Sequence, residues 1–209
     1  MRHLSATLAS VGYAYHTLVR ARERAHMSTA SRDRRWTLEE LHALPDDRNK
    51  YELIDGELFV TPAPTDEHER ILARLHAILV PYVFAEGLGQ IYRPRSVFRI
   101  GRRVEVEPDL MVRQDNQDPD GAWERAPLPS LVVEALSKRT RTHDLTRKRA
   151  LYLMSGIAEY WVVDGKARTF TVFVADREPV VVSDEMTWWP AGASEPLRFA
   201  LVKIFPPSL

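Results

Sequence analysis

The sequence of 209 residues is about one ordinary domain long, and its 44% hydrophobic and 28% charged residues are typical of a globular protein. It has no cysteine, which excludes disulfide bonds, thiolate zinc sites and a cysteine nucleophile. The 29 Lys and Arg residues balance the 29 Asp and Glu residues, so any nucleic-acid contact would have to depend on a local basic patch.

The first 35 residues differ in charge from the rest of the chain. Seven arginines against one Glu and one Asp give them a net charge of +5, which leaves −5 for residues 36–209. A diluted apolar stretch followed by RARERAH and Met27 admits either a secretory signal or an upstream start codon. We interpret residues 1–35 as a disordered extension, with the true start at Met27, and residues 36–209 as a single domain. No segment approaches the roughly 20 apolar residues of a membrane span, so we expect a cytoplasmic protein without a membrane partner.

The first elements of this domain have clear local signals. Thr37 followed by Glu40 makes a capping box and predicts a short helix that ends at Leu44. In YELIDGELFV (51–60), an Asp-Gly pair between two apolar runs predicts a β-hairpin. Acidic residues in the first turn and apolar residues on one face predict a long helix over residues 65–86.

From Gly89 onward, short runs of β-branched and aromatic residues predict a sheet. A second main helix is expected from about residue 142 or 144 to residue 155. We therefore predict an α/β fold, in which a mixed central β-sheet is flanked by α-helices and carries an N-terminal β-hairpin and a C-terminal β extension. The expected strands of the sheet and the extension are 90–92, 96–100, 104–106, 109–112, 131–136, 160–163, 170–174, 180–182 and 197–204.

Carboxylates inside apolar, β-rich sequence are the strongest functional signal. In VEVEPDLMV, Glu105, Glu107 and Asp109 alternate with apolar residues and would share one face if the strand continues through Pro108. In LVVEALS, Glu134 interrupts a core strand, and a buried carboxylate without a partner is costly. Glu134 therefore needs a cation, a proton or a metal, although a salt bridge at the end of a strand would satisfy it equally.

The segment after Glu134 brings basic side chains towards these acids. Asp144, Lys148 and Tyr152 are four residues apart and would lie on one helix face. The short connection would lay that face against the strand that carries Glu134. The same segment is rich in Lys and Arg, and its basic patch includes Lys138, Arg139, Arg141 and Arg147.

The ordered set of motifs resembles the PD-(D/E)XK nuclease superfamily and, more closely, a bacterial group of Uma-type endonucleases with a restriction-endonuclease-like fold. Each motif is weak individually, whereas their order along residues 37 to about 175 is specific. The resemblance implies an endonuclease that hydrolyses DNA phosphodiester bonds with Mg²⁺ or Mn²⁺. The resembling segments are YELIDGEL (51–58), the helix that opens with His68, EPDLMV (107–112), LVVEALS (131–137), the face of Asp144, Lys148 and Tyr152, and GIAEYWVVD (156–164).

The resemblance also implies roles for the acids. Asp109 and Glu134 would be the central metal-binding and catalytic carboxylates, since hard oxygen ligands suit magnesium and manganese. Glu52 would be an additional metal ligand or, equally well, a salt-bridged strand residue. His68 and Asp144 are accessory candidates: the histidine could orient a phosphate or stay on the surface, and the aspartate could bind a second metal or cap its helix.

The lysine of the superfamily motif raises a separate question. Its usual position, two residues after the second acid, is occupied by Leu136. Lys138 lies roughly 13 Å along a strand from Glu134, so Lys148 on the following helix is the better candidate to help the attacking water. Lys138, Arg139, Arg141 and Arg147 are expected to bind nucleic acid.

Three functions stay open from the residues alone. The first is a DNA endonuclease, which could act as a homodimer with Trp188 and Trp189 either at the interface or in the core. The second is a nuclease-like DNA-binding or interaction module without activity, because Leu136 replaces the usual lysine. The third is a hydrolase of another phosphate ester, which the acidic domain would tolerate better than long duplex DNA.

A chain that begins at Met27 should melt within a few degrees of the full-length protein, because segments without a core pattern contribute few buried contacts. Thermal unfolding followed by circular dichroism measures the difference. A large drop in the melting temperature would show that the extension packs on the domain.

Overall fold

The structure is a computed structural model that describes residues 34–115 and 120–205. The predicted extension therefore lies almost entirely outside the described residues, as does the start proposed at Met27. The helices of the described ranges are α1 (Leu38–His42), α2 (Asp66–Ala85) and α3 (141–154), and short 3-10 turns span Trp123–Arg125 and Leu201–Lys203. The strands are β1 (Lys50–Ile54), β2 (Glu57–Thr61), β3 (Gln90–Tyr92), β4 (Phe98–Ile100), β5 (Val104–Val106), β6 (Leu110–Arg113), β7 (Leu131–Ala135), β8 (Glu159–Asp164), β9 (Thr169–Phe173), β10 (Val180–Val182), β11 (Glu185–Trp188) and β12 (Leu197–Ala200).

The N-terminal elements form where their local signals predict. The Thr37 hydroxyl accepts a hydrogen bond from the backbone N of Glu40, whose carboxylate accepts one from the backbone N of Thr37, which completes the capping box. The β1–β2 hairpin turns at Asp55 and Gly56, both with positive φ, as a two-residue hairpin turn requires. Thr65 caps α2 through the backbone N of His68.

The described strands form three sheets. A four-stranded sheet has the order β2-β1-β5-β4, a six-stranded sheet the order β10-β9-β8-β7-β6-β3, and β11 pairs with β12. In the six-stranded sheet β7 and β8 are parallel, because α3 crosses between them, and the other described pairs are antiparallel. The predicted mixed central sheet is confirmed.

The acidic run VEVEPD is divided between the two larger sheets. β5 belongs to the four-stranded sheet and β6 to the six-stranded sheet, and Pro108, which has no N–H for a ladder bond, lies between them. The prediction that Glu105, Glu107 and Asp109 share one strand face is therefore wrong. Glu105 forms an ion pair with Arg99 on the four-stranded sheet, whereas Asp109 stands at the start of β6.

Helices cover both faces of the central sheet. Alternate residues of β7 point in opposite directions, so Val133 joins the core under α2 and Val132 joins the core under α3. This alternation also turns Glu134 towards α3. No helix in the described ranges is both long and apolar enough to cross a membrane.

The C-terminal extension contains one strand that was not predicted, β11. Its burial alternates along the strand, and Trp188 is buried in the main core, where its ring contacts those of Trp161 and Tyr82. Trp188 is thus a core residue and not part of a subunit interface. Trp189 is 64% exposed.

Gly89 lies between α2 and β3, where any side chain would clash with the neighbouring backbone. Its φ is +101°, and an added Cβ would lie 2.6 Å from Gln114 Cα and closer still to the Arg113 carbonyl oxygen.

Gly89→Ala should lower the free energy of unfolding by at least about 2 kcal/mol, because the backbone is strained and the β3–β6 pair must shift. Gly87→Ala is the matched control, since φ is +62° and an added Cβ would have no atom within 4 Å. Gly87→Ala should lower the free energy of unfolding by about 1 kcal/mol. Equal losses for the two variants in urea unfolding would contradict the clash at Gly89.

Candidate active site

Neighbouring strands bring Asp109 and Glu134 together at one end of the central sheet. Leu110 pairs with Val133, so the preceding Asp109 lies opposite Glu134. Asp109 Oδ2 accepts a hydrogen bond of 2.9 Å from the backbone N of Ala135, the residue after Glu134. Both carboxylates are buried. The two acids singled out from the sequence therefore share one site.

Two side chains of helix α3 contact Glu134. Lys148 Nζ and the Tyr152 hydroxyl each donate to Glu134 Oε1, both at 2.8 Å. Residues Asp144–Lys148 form a π-helical turn between two α-helical segments, a local distortion that is frequent at functional sites. The helix packs against β7 as the sequence analysis expected.

Glu52 joins the same cluster from the four-stranded sheet. Its Oε1 accepts from Lys148 Nζ at 2.9 Å and from the backbone N of Glu107 at 2.9 Å. Its side chain is 1% exposed, and Oε2 has no hydrogen-bond partner among the described residues. Lys148 thus bridges two buried carboxylates that belong to different sheets.

A cleft of about 460 Å³ opens in front of these acids. Asp109, Glu134 and Asp144 line it, whereas Lys148 and Glu52 lie behind its wall. Lys148, the candidate to help the attacking water, therefore does not itself line the cleft. The remaining described residues of the cleft wall include Lys50, Pro62, Pro64, His68, Glu69, Pro94, Arg95, Glu107, Ala135, Ser137, Lys138, Arg139 and Thr140.

Lys50 is a cleft-lining cation in contact with Asp109 that the sequence motifs did not indicate. Its Nζ lies 3.3 Å from Asp109 Oδ1 and donates to the backbone carbonyl of Glu107 at 3.1 Å. Lys50 precedes Glu52 by two positions on β1, so both side chains leave the same face of the strand. That spacing was the signal that could have identified it.

The two accessory candidates both lie at the site. His68, in the first turn of α2, places Nε2 3.0 Å from Asp109 Oδ2. Asp144 is 2% exposed, and its Oδ1 has no hydrogen-bond partner among the described residues. Asp144 does not cap α3, because the helix begins at Arg141 and Thr140 occupies the N-cap position.

The four predicted nucleic-acid-binding residues separate into two groups. Lys138 and Arg139 line the cleft. Arg141 is paired with Asp164, and Arg147 forms an ion pair with the half-exposed Glu57. Only the first two are placed to contact a substrate in the cleft.

The buried charges shift one another's proton affinity. Burial, with Lys148 opposing it and Asp109 adding to it, raises the pKa of Glu134 to about 8. Burial likewise raises the pKa of Asp144 to about 6. For Asp109, burial would raise the pKa, but Lys50 and the hydrogen bond from His68 hold it well below its ordinary value. Burial would lower the pKa of Lys148, yet Glu134 and Glu52 raise it to about 12.

The donor chemistry of the site suits a hard divalent cation. Carboxylate oxygens are the preferred ligands of Mg²⁺ and Mn²⁺, and Glu52 Oε2 and Asp144 Oδ1 are buried without a hydrogen-bond donor. In the described part of the chain, no three acidic or histidine side chains converge as a ready-made metal cluster. The ammonium groups of Lys50 and Lys148 lie between the carboxylates instead.

Most of the chain matches one known family. The Uma2 family, described as "Putative restriction endonuclease", matches residues 38–198. The chain belongs to this family. Uma2 membership confirms the resemblance drawn from the ordered motifs and supports a nuclease activity.

A solved structure shows the same fold. It is a protein of Anabaena variabilis ATCC 29413, described as a "putative nuclease belonging to DUF820". The two share 22% sequence identity with a TM-score of 0.69, over 81% of this chain and 97% of that one. The fold of this Uma2 protein is accordingly restriction-endonuclease-like, as predicted. No curated protein gives a significant match.

Lys148→Met should lower the free energy of unfolding by about 3–5 kcal/mol, because it leaves the buried Glu52 and Glu134 without their shared cation. Adding Glu52→Gln should recover part of this loss, since the pKa of Glu52 is lowered and its uncompensated charge is then removed. Arg147→Met is the matched control on the same helix. Its ion pair with Glu57 is half exposed, so it should cost less than about 1 kcal/mol. Equal losses for Lys148→Met and Arg147→Met in urea unfolding would contradict the bridging role.

Proposed function

We propose that this Uma2 protein is a Mg²⁺- or Mn²⁺-dependent endonuclease that hydrolyses phosphodiester bonds of DNA. The observation that carries the proposal is the pair Asp109 and Glu134, held side by side on neighbouring strands at the floor of a cleft whose rim carries Lys138 and Arg139. Acids at the floor suit a divalent cation, and basic residues at the rim suit a phosphate backbone.

Asp109 and Glu134 would hold the cation. Asp109 keeps a low pKa and so offers an ionised carboxylate, and Asp144 lines the same cleft with an oxygen that has no donor. When bound, a divalent cation neutralises phosphate charge and acidifies a water molecule. Glu52 lies behind the cleft wall on Lys148, so its proposed role changes from ligand to a residue that positions Lys148.

The protein's own groups orient the acids. His68 Nε2 and the backbone N of Ala135 both contact Asp109 Oδ2, which leaves Oδ1 turned towards Lys50. Lys148 and Tyr152 hold Glu134 through Oε1. Lys148 therefore acts through Glu134, as a positioning residue whose charge also offsets the buried carboxylate.

Lys148 also favours an active enzyme over an inactive binding module. The apolar Leu136 replaces the lysine of the superfamily motif and packs in the core under α3. The ammonium of Lys148 nevertheless reaches Glu134 at 2.8 Å from the helix. We propose that Lys148 takes the role of that lysine in supporting the second acid.

With Mn²⁺, the wild-type protein should cleave linear or supercoiled DNA, and Asp109→Asn should slow cleavage by about a hundredfold or more, because its neutral amide is a poor metal ligand. Asp184→Asn, at an exposed position outside the cleft, is the control and should cleave at the wild-type rate. Gel assays measure the cleavage of DNA and of RNA, and a separate hydrolysis assay measures the cleavage of a small phosphodiester. Together they separate the three substrate classes. Equal cleavage by Asp109→Asn, or hydrolysis confined to the small phosphodiester, would refute the DNA endonuclease.

A further inference from the structure

Three oxygen atoms converge on the ammonium of Lys50. The Glu107 carbonyl oxygen lies 3.1 Å from Nζ, Asp109 Oδ1 lies at 3.3 Å, and Glu52 Oε1 lies at 3.9 Å. Two of the three are carboxylate oxygens and the third is a backbone carbonyl, all of them hard donors that also suit a divalent cation. The position of Nζ is therefore a point of the cleft at which the protein stabilises positive charge.

The two lysines of the site differ in accessibility. The Lys50 side chain is 19% exposed and lines the cleft, whereas the Lys148 side chain is 2% exposed and contacts Glu52 and Glu134 at less than 3 Å. A lysine at the mouth of a cleft can swing its flexible four-carbon stem into solvent. Lys148 has no such freedom, because two buried carboxylates hold it.

Charge balance gives the Lys50 ammonium a function in the metal-free protein. Asp109 is a buried, ionised carboxylate, and only Lys50 places an ammonium against its Oδ1 among the described contacts. A divalent cation bound through the same Oδ1 would lie within a few ångströms of that ammonium. Like charges so close repel strongly where water is scarce, so both cannot occupy the oxygens at once.

Resting on the proposed metal-dependent function, we propose that Lys50 is a positioning residue that holds Asp109 Oδ1 in the metal-free protein and competes with the divalent cation for that oxygen. It lowers the affinity of the site for metal and keeps the buried carboxylate balanced until a cation arrives. Displacement of the ammonium turns it into the cleft, on the side from which a substrate phosphate would enter.

Titration of the metal-free full-length protein with Mn²⁺ in a calorimeter tests this competition. Lys50→Met should bind Mn²⁺ about tenfold more tightly than wild type, because a like charge next to the bound cation is removed. At a fixed Mn²⁺ concentration its melting temperature should also rise further than that of wild type, since tighter binding stabilises the folded state more. A merely structural role for Lys50 would leave the affinity unchanged or weaken it.

Matched variants keep the result interpretable. Lys50→Arg retains the charge and should bind Mn²⁺ no more tightly than wild type, and Lys166→Met, in an exposed turn away from the cleft, should bind as wild type does. Lys50→Gln keeps a donor for Asp109, so it supplies a second neutral variant if Lys50→Met folds poorly. Wild-type or weaker affinity in the folded neutral variant would overturn the competition.

Asp109→Asn separates this inference from the proposed function. If wild type binds Mn²⁺, Asp109→Asn loses it and the neutral Lys50 variants bind unchanged, the inference alone fails. If neither wild type nor any Lys50 variant binds Mn²⁺, or if Asp109→Asn binds as wild type does, the proposed metal dependence fails as well.

Discussion

The buried contact between Glu134 and Lys148 is the interaction on which both the site and the surrounding structure depend. A carboxylate on a central strand is unfavourable without a partner, and α3 supplies one from a π-helical turn at 2.8 Å. The same ammonium binds Glu52 on the other sheet. One lysine therefore connects the central sheet, the four-stranded sheet and the helix.

This arrangement places the site at a junction between two sheets. The chain leaves β5 in one sheet, passes Pro108 and enters β6 in the other, and Asp109 is the first residue after that crossing. The backbone N of Glu107, in the crossing, donates to Glu52. The central sheet alone brings Asp109 and Glu134 together, whereas Glu52 reaches the cluster only when the two sheets dock correctly.

The basic groups of the site lie at different depths relative to the cleft. Lys148 balances the acids behind the cleft wall, whereas Lys50 and His68 contact Asp109 from the cleft side. The buried lysine serves stability and orientation, and the accessible groups lie where a metal ion or a phosphate would arrive. Such a division allows a cluster of buried acids to remain folded and yet be available for chemistry.

The sequence by itself determined most of the elements and singled out the central acids, because the capping box, the Asp-Gly turn, apolar periodicity and carboxylates inside apolar runs are local signals. It also indicated the face of Asp144, Lys148 and Tyr152, since helical spacing is independent of tertiary context. Only the tertiary structure decided how far each group is from solvent. It separated Glu105 from Asp109 at Pro108, placed Lys148 and Glu52 behind the cleft and brought Lys50 to Asp109. These outcomes depend on how two sheets dock, a long-range arrangement for which neighbouring residues carry no signal.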